Sequence, residues 1–196
     1  MKDIVLASGS PRRREILSDM GLDFDVYVSE ADEDSVSPNG IHAGVYVQEL
    51  AMLKASAAAK FLEGEDTLII AADTVVCQDG KILGKPKDSD DAKNMLSQLS
   101  GKCHSVFTGI CVMRAKNAFS VCSFVETKVY FKKLSREKIE WYVSTKEPLD
   151  KAGAYGIQGR GALFVEKIDG DYLNVVGLPA ARLFEILEDE FDYHID

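Results

Sequence analysis

Two hydrophobic periods alternate along the chain. Ile4, Val5 and Leu6 form a short apolar run that reads as a strand, and Ile16, Leu17 and Met20 then recur at helical spacing behind Pro11. Ser10 followed by Pro11 has the cap-then-first-turn order of a helix start, and Gly21 is a natural stop. A second strand is expected over residues 24–28, followed by an acidic loop over 29–40 that carries Glu30, Asp32, Glu33 and Asp34. Residues 43–62 are alanine-rich, with Val47, Leu50, Ala57 and Phe61 at helical spacing and Lys54 close to the apolar stripe. Residues 68–72 are continuously apolar, as in a strand buried on both faces, and the run ends in Asp73-Thr74 before Val75-Val76 resumes.

The second half is richer in strand signals. Asp79-Gly80 marks a hairpin turn, and Gly84-Lys85-Pro86 follows, with Lys85 barred from helix by the proline. Ser89 is expected to cap a helix with Asp90 and Asp91 in its first turn, running through Met95 and Leu99. Residues 106–113 and 119–131 are long β-prone segments joined at Lys116-Asn117. Ser135 caps a helix whose Ile139, Trp141 and Tyr142 are expected in the core, residues 162–168 form a last strand, and Gly170-Asp171-Tyr172 is a turn. Pro179 then opens a terminal helix with Leu183, Phe184 and Leu187 on its inner face. The pattern predicts an α/β fold with a wide, twisted mixed sheet. No linker or repeat divides it, so residues 1–196 are expected to form one domain with a cleft between two lobes.

Composition narrows the function classes. Of 196 residues 46% are hydrophobic, enough for a sizeable core, yet no stretch approaches the roughly 20 apolar residues of a membrane span. The first residues lack the apolar stretch of a secretory leader, which points to the cytoplasm. Cys77, Cys103, Cys111 and Cys122 show no metal or disulfide spacing, and His42, His104 and His194 are scattered. A net charge of −9 repels polyanions over long range, so a nucleic-acid partner is not expected. Any phosphate must be gripped locally.

Local grip is what residues 6–15 offer. A small-residue turn, Ser8-Gly9-Ser10, leads a strand into a helix start, where unpaired N–H groups and the macrodipole favour an anion. Arg12 and Arg13 add guanidinium forks. Successive helical side chains diverge by about 100°, so Arg14 is expected to face solvent or an ion pair. Asp73 is a carboxylate inside an apolar run, expensive to bury without partners, and reads as a base or metal ligand at a strand end. In residues 147–161 four glycines, Gly153, Gly156, Gly159 and Gly161, fall within nine positions and let the backbone approach a ligand. Gln158 among them carries donors and an acceptor suited to a nucleobase edge. The chain contains neither a P-loop nor G-x-G-x-x-G.

With these residues in view the sequence resembles the Maf family of nucleoside triphosphate pyrophosphatases. The blocks that carry the resemblance are LASGSPRR at 6–13, Asp32-Glu33, AADTVV at 71–76, Gly84-Lys85-Pro86, LSGKCH at 99–104, EPLDKAGAYGIQG at 147–159 and VGLP at 176–179. The resemblance implies a long, bent mixed sheet flanked by helices, as in inosine triphosphate pyrophosphatases, with the active site in a central cleft. It implies hydrolysis between the α- and β-phosphates to a monophosphate and pyrophosphate with Mg²⁺ or Mn²⁺, and is compatible with a homodimer. Arg12 and Gln158 follow the branch typically specific for dTTP and UTP rather than the branch acting on 7-methyl-GTP.

The resemblance also implies residue roles. Asp73 corresponds to the proton acceptor, and Arg12, Thr74 and Gln158 to specificity positions. Ser8, Arg13, Glu33, Lys54 and Lys85 correspond to further site positions, with Lys54 and Lys85 expected to stabilise transferred charge. Glu33 and Asp73 are expected to orient water and the metal. His104, Asp150 and Lys151 lie in the blocks without an assigned role. The competing readings are a non-catalytic nucleotide-binding regulator of cell division and a pyrophosphatase for a modified or non-pyrimidine nucleotide.

Overall fold

A computed structural model describes residues 2–28 and 30–194; Met1 and Ser29, where the leader and acidic-loop readings begin, lie outside the described residues. The strands are β1 (Ile4–Leu6), β2 (Asp25–Val26), β3 (Leu68–Gln78), β4 (Lys81–Leu83), β5 (Cys103–Arg114), β6 (Ser120–Phe131) and β7 (Val165–Asp169). The helices are α1 (Pro11–Asp19), α2 (Ala43–Phe61), α3 (Ser89–Leu99), α4 (Arg136–Ser144), α5 (Tyr172–Val176) and α6 (Ala180–Phe191). Among the described residues the strands form one mixed seven-stranded sheet in the order β2-β1-β3-β5-β6-β7, with β4 on β3. No described helix is long and apolar enough to cross a membrane.

The chain divides into two compact units. One holds Met1–Asp73, Thr108–Val125 and Gly177–Asp196; the other holds Thr74–Phe107 and Glu126–Val176. Strands β3, β5 and β6 each supply residues to both.

In the first unit β1 pairs in parallel with β2 and β3, Leu6 lying opposite Val26 and Ile70. Helix α1 ends as its sequence dictates. Gly21, at φ +81°, passes the chain through the left-handed region, and its N–H and that of Leu22 return to the carbonyls of Ser18 and Leu17. Helix α2 lays Ala51, Ala55 and Ala58 against Ile69 and Ala71 of β3. Its small face lets the backbones come close. A methyl group at Gly109 of β5 would stand 2.3 Å from the carbonyl of Val47, so only glycine fits there.

The second unit packs α3 and α4 over Val129, Phe131 and Phe164, with Leu96, Leu99, Ile139, Tyr142 and Tyr155 at its centre. Burying one such side chain contributes roughly 1.5–3 kcal/mol. The Asp79-Gly80 hairpin forms as expected, both residues having positive φ, and joins β3 to β4.

Several local expectations are corrected. Asp88, not Ser89, caps α3, because its carboxylate accepts from the amides of both Asp90 and Asp91 at 2.9 and 2.8 Å, while Ser89 is already helical. Trp141 is 45% exposed while Tyr142 is fully buried, as neighbours on a helix must diverge. The last strand starts only at Val165, after a 3₁₀ segment over Gly159–Phe164. The turn expected at Tyr172 becomes α5, with the Asp171 side chain accepting from the amide of Leu173 at 2.7 Å. Strand β2 is shorter than expected, and Glu33–Ser35 within the acidic loop forms a 3₁₀ turn.

Candidate functional site

Strand β3 alternates its faces, so Ile69, Ala71 and Asp73 share the side that meets α2. On α2, Lys54 lies three residues after Ala51 and four before Ala58, on the same buried stripe. The apolar interface therefore ends in an ion pair. Lys54 Nζ donates to Asp73 Oδ1 at 2.6 Å and stands 3.1 Å from Glu33 Oε2. The Lys54 and Asp73 side chains are only 12% and 14% exposed, while Glu33, at the start of its 3₁₀ turn, is half open at 52%. Asp73 does not end its strand as expected; β3 runs through it to Gln78. Its partner is a lysine that the strand sequence alone could not name.

Tyr46, which was not among the expected residues, lies within the field of these carboxylates. Burial raises its phenol pKa, and the charges of Asp73, Glu33 and Asp34 raise it further. Tyr46, Leu50 and Lys54 follow at intervals of four along one line of α2, a spacing from which it could have been found.

The strand-to-helix turn forms a second cluster. Ser8 Oγ accepts from the backbone N–H of Ser10 at 3.2 Å and from Arg13 Nη1 at 3.1 Å. Arg13 Nε donates to the carbonyl of Gly177 at 2.8 Å. Burial pushes the Arg13 guanidinium below its usual value, and the charges of Asp73 and Glu33 act against that shift. Arg12 is half-buried, whereas Arg14 is exposed. Ser10 begins α1 without capping it through its side chain.

Thr74 follows Asp73 on β3, half-buried, with its side chain on the other face of the strand. Lys85 and Gln158 belong to the second unit and are exposed. Their segments are tied together there, since the amide of Gly153 donates to the carbonyl of Gly84 at 3.0 Å. Lys151 is half-buried and donates to the carbonyl of Glu147 at 2.7 Å and to Asp150 Oδ1 at 2.6 Å.

His104 is buried, and its Nε2 shares a hydrogen bond of 2.8 Å with the Tyr155 hydroxyl. Its ring meets those of Phe131 and Tyr155 edge-on, and burial lowers its pKa to about 4. It is a neutral core histidine. All four cysteines are free thiols.

No group of three or more histidine, cysteine, aspartate or glutamate side chains gathers for a metal among the described residues. Asp73 and Glu33 converge on one cation, Lys54, and present hard oxygen donors. That set fits an ion such as Mg²⁺, which takes one or two carboxylates and completes its shell with water and substrate phosphates.

The sequence model of the family described as Maf-like protein matches residues 3–190. The chain is 53% identical over 192 residues to the dTTP/UTP pyrophosphatase of Thermoanaerobacter sp. strain X514, covering 98% of each chain. It is 53% identical over 186 residues to the enzyme of the same name from Clostridium novyi, covering 95% of this chain and 96% of that one. Among solved structures it is similar to the Staphylococcus aureus Ham1 protein, with a TM-score of 0.44 at 20% identity over 66% of this chain and 72% of that one. A match from residue 3 to residue 190, with half-identical relatives of the same length, shows that the chain belongs to the Maf family.

Proposed function

We propose that the protein hydrolyses nucleoside triphosphates between the α- and β-phosphates, with dTTP and UTP preferred, releasing the monophosphate and pyrophosphate. Relatives named dTTP/UTP pyrophosphatase, about half identical over nearly the full length, support the activity. The observation that carries the chemistry is the Lys54 ammonium held between Asp73 and Glu33 in a mostly buried setting. Phosphoryl transfer asks a protein chiefly to position the reactants and to stabilise charge.

In this reading a water attacks the α-phosphorus, its proton passes to Asp73 Oδ, and the bond from the α-phosphorus to the bridging oxygen of pyrophosphate breaks. Lys54 and Lys85 offset charge on the phosphates, and Arg12 grips them beside the turn that Ser8 and Arg13 hold in shape. Asp73 and Glu33 would hold Mg²⁺ or Mn²⁺, which when bound supplies a Lewis acid for the phosphates and lowers the pKa of bound water. Thr74 and Gln158 select the base, Gln158 by offering both amide donors and a carbonyl acceptor. A cytoplasmic location belongs to the same reading, as does a homodimer, which rests on the resemblance alone.

The test is pyrophosphate release by the purified protein across canonical and modified nucleoside triphosphates, with Mg²⁺, Mn²⁺ or EDTA. Metal-dependent turnover led by dTTP and UTP is expected. Saturable binding without turnover would instead make the protein a nucleotide-binding regulator.

A further inference from the structure

The residues on either side of Gln158 are held by two side chains from outside the glycine-rich run. Glu147 lies in the 3₁₀ segment Glu147–Asp150 that follows α4, and its Oε1 accepts from the amide of Gly161 at 3.2 Å. Its Oε2 accepts from the amide of Arg160 at 3.3 Å. The Tyr142 hydroxyl donates to Glu147 Oε1 at 3.0 Å and itself accepts from the amide of Gly156 at 3.2 Å. Burial, then the neighbouring negative charge of Glu147, keeps that phenol protonated and so able to donate. Three backbone amides, two positions before Gln158 and two and three after it, thus converge on one carboxylate and one buried hydroxyl. Gln158 stands exposed at the crown of this segment and makes no side-chain cap to the 3₁₀ turn it precedes.

The packing leaves the segment little alternative path. A methyl group at Gly161 would stand 2.3 Å from the carbonyl oxygen of Gly156 and 2.7 Å from the Tyr142 hydroxyl, so both ends of the segment touch at a point only glycine occupies. Gly159, at φ +70°, takes the turn that directs its neighbours' amides to the carboxylate.

We propose that Glu147 is a specificity-positioning residue, whose carboxylate, with the Tyr142 hydroxyl, fixes the backbone on both sides of Gln158 so that the amide of Gln158 meets the substrate base in one orientation. The inference rests on the reading of Gln158 as the base reader. A carboxylate suits the position because it is acceptor-only and all three of its partners are donors. In Glu147→Gln one oxygen becomes an N–H₂ group facing the Arg160 amide, donor against donor, while size and shape are kept.

The experiment combines amide hydrogen exchange of the full-length protein with kcat/KM for dTTP, UTP and dCTP in Glu147→Gln, Tyr142→Phe, Gln158→Ala and the Glu147→Gln/Gln158→Ala pair. Exchange at Arg160 should quicken about tenfold in Glu147→Gln, as for the loss of one hydrogen bond, and less at Gly161, while β-strand amides stay protected. The preference for dTTP over dCTP should fall about tenfold, short of the 10²-fold that a 1 Å misplacement can cost. In Tyr142→Phe the Gly156 amide should quicken, with a smaller shift in preference. The double variant should rank substrates as Gln158→Ala alone does.

Unchanged exchange at Arg160 and Gly161 overturns the positioning role whatever the kinetics show. Quickened exchange with an unchanged ranking, where Gln158→Ala does shift it, overturns the link to specificity. A ranking that neither variant moves shows instead that Gln158 does not read the base, and removes the specificity role of Glu147 with it.

Discussion

Arg13 Nε donates to the carbonyl of Gly177 at 2.8 Å across 164 positions of sequence. This bond joins the start of α1 to the VGLP block and gives that block a physical purpose. Gly177 has φ +132°, where a side chain is strained, and its carbonyl faces the guanidinium only because the backbone turns there. Gly177→Ala should cost about 1–3 kcal/mol of stability and lower kcat/KM by displacing Arg13. Arg13→Lys should reproduce the kinetic loss, since an ammonium lacks the fork that spans Ser8 and Gly177. Wild-type kinetics in both variants would show that Arg13 does not act through this anchor.

Asp73→Asn should leave the fold intact and lower turnover at least about 100-fold, the range for loss of a catalytic acid–base group. The amide keeps the shape of the carboxylate and can still accept from Lys54. Circular dichroism checks the fold and pyrophosphate release the rate; turnover close to that of the unmodified protein would remove Asp73 from the proton-acceptor role.

Gln158→Glu should shift relative kcat/KM away from dTTP and UTP toward other bases, because the carboxylate loses both amide donors while keeping the size. The comparison is a ranking of substrates, not a single rate. An unaltered ranking across the panel is the result that would count against base reading.

His104 predicts a pH dependence of stability. Its pKa is lowered to about 4 in the folded protein from an ordinary value of 6.5, so between these values the unfolded chain binds more protons. Stability therefore rises with pH across that window; the penalty is complete below about pH 4 and absent above 6.5. Its size is about 3 kcal/mol from 1.36 kcal/mol per pH unit. Urea unfolding of the wild-type protein and His104→Gln at pH 4.5 and 7.5 isolates this term. An equal loss of stability in both proteins on acidification would refute it.

Much of this was legible beforehand, for reasons that differ by element. The Asp79-Gly80 hairpin and the Gly21 stop are decided by residues a few positions apart, so local chemistry sufficed. The helix from Ala43 and the buried run before Asp73 announce themselves by period and composition. Trp141 and Tyr142 were harder, because two adjacent aromatics carry equal hydrophobic weight and only the packing of α4 shows which one is buried. The cap of α3 turned on which of two neighbouring acceptors, Asp88 or Ser89, stood at the last non-helical position.

By itself the sequence determined the α/β class, the strand-to-helix turn at Ser8, the anomalous carboxylate of Asp73 and the glutamine within a glycine-rich run. Each follows from periodicity, from residue chemistry, or from the cost of placing a charge among apolar neighbours. The tertiary structure alone decided that Lys54 lies between Asp73 and Glu33, that Gly177 anchors Arg13, and that Glu147 gathers the amides around Gln158. These relationships depend on how elements remote in sequence, or a loop folded back on itself, bring single atoms within about 3 Å, where hydrogen bonds form. No period along a chain encodes such a distance.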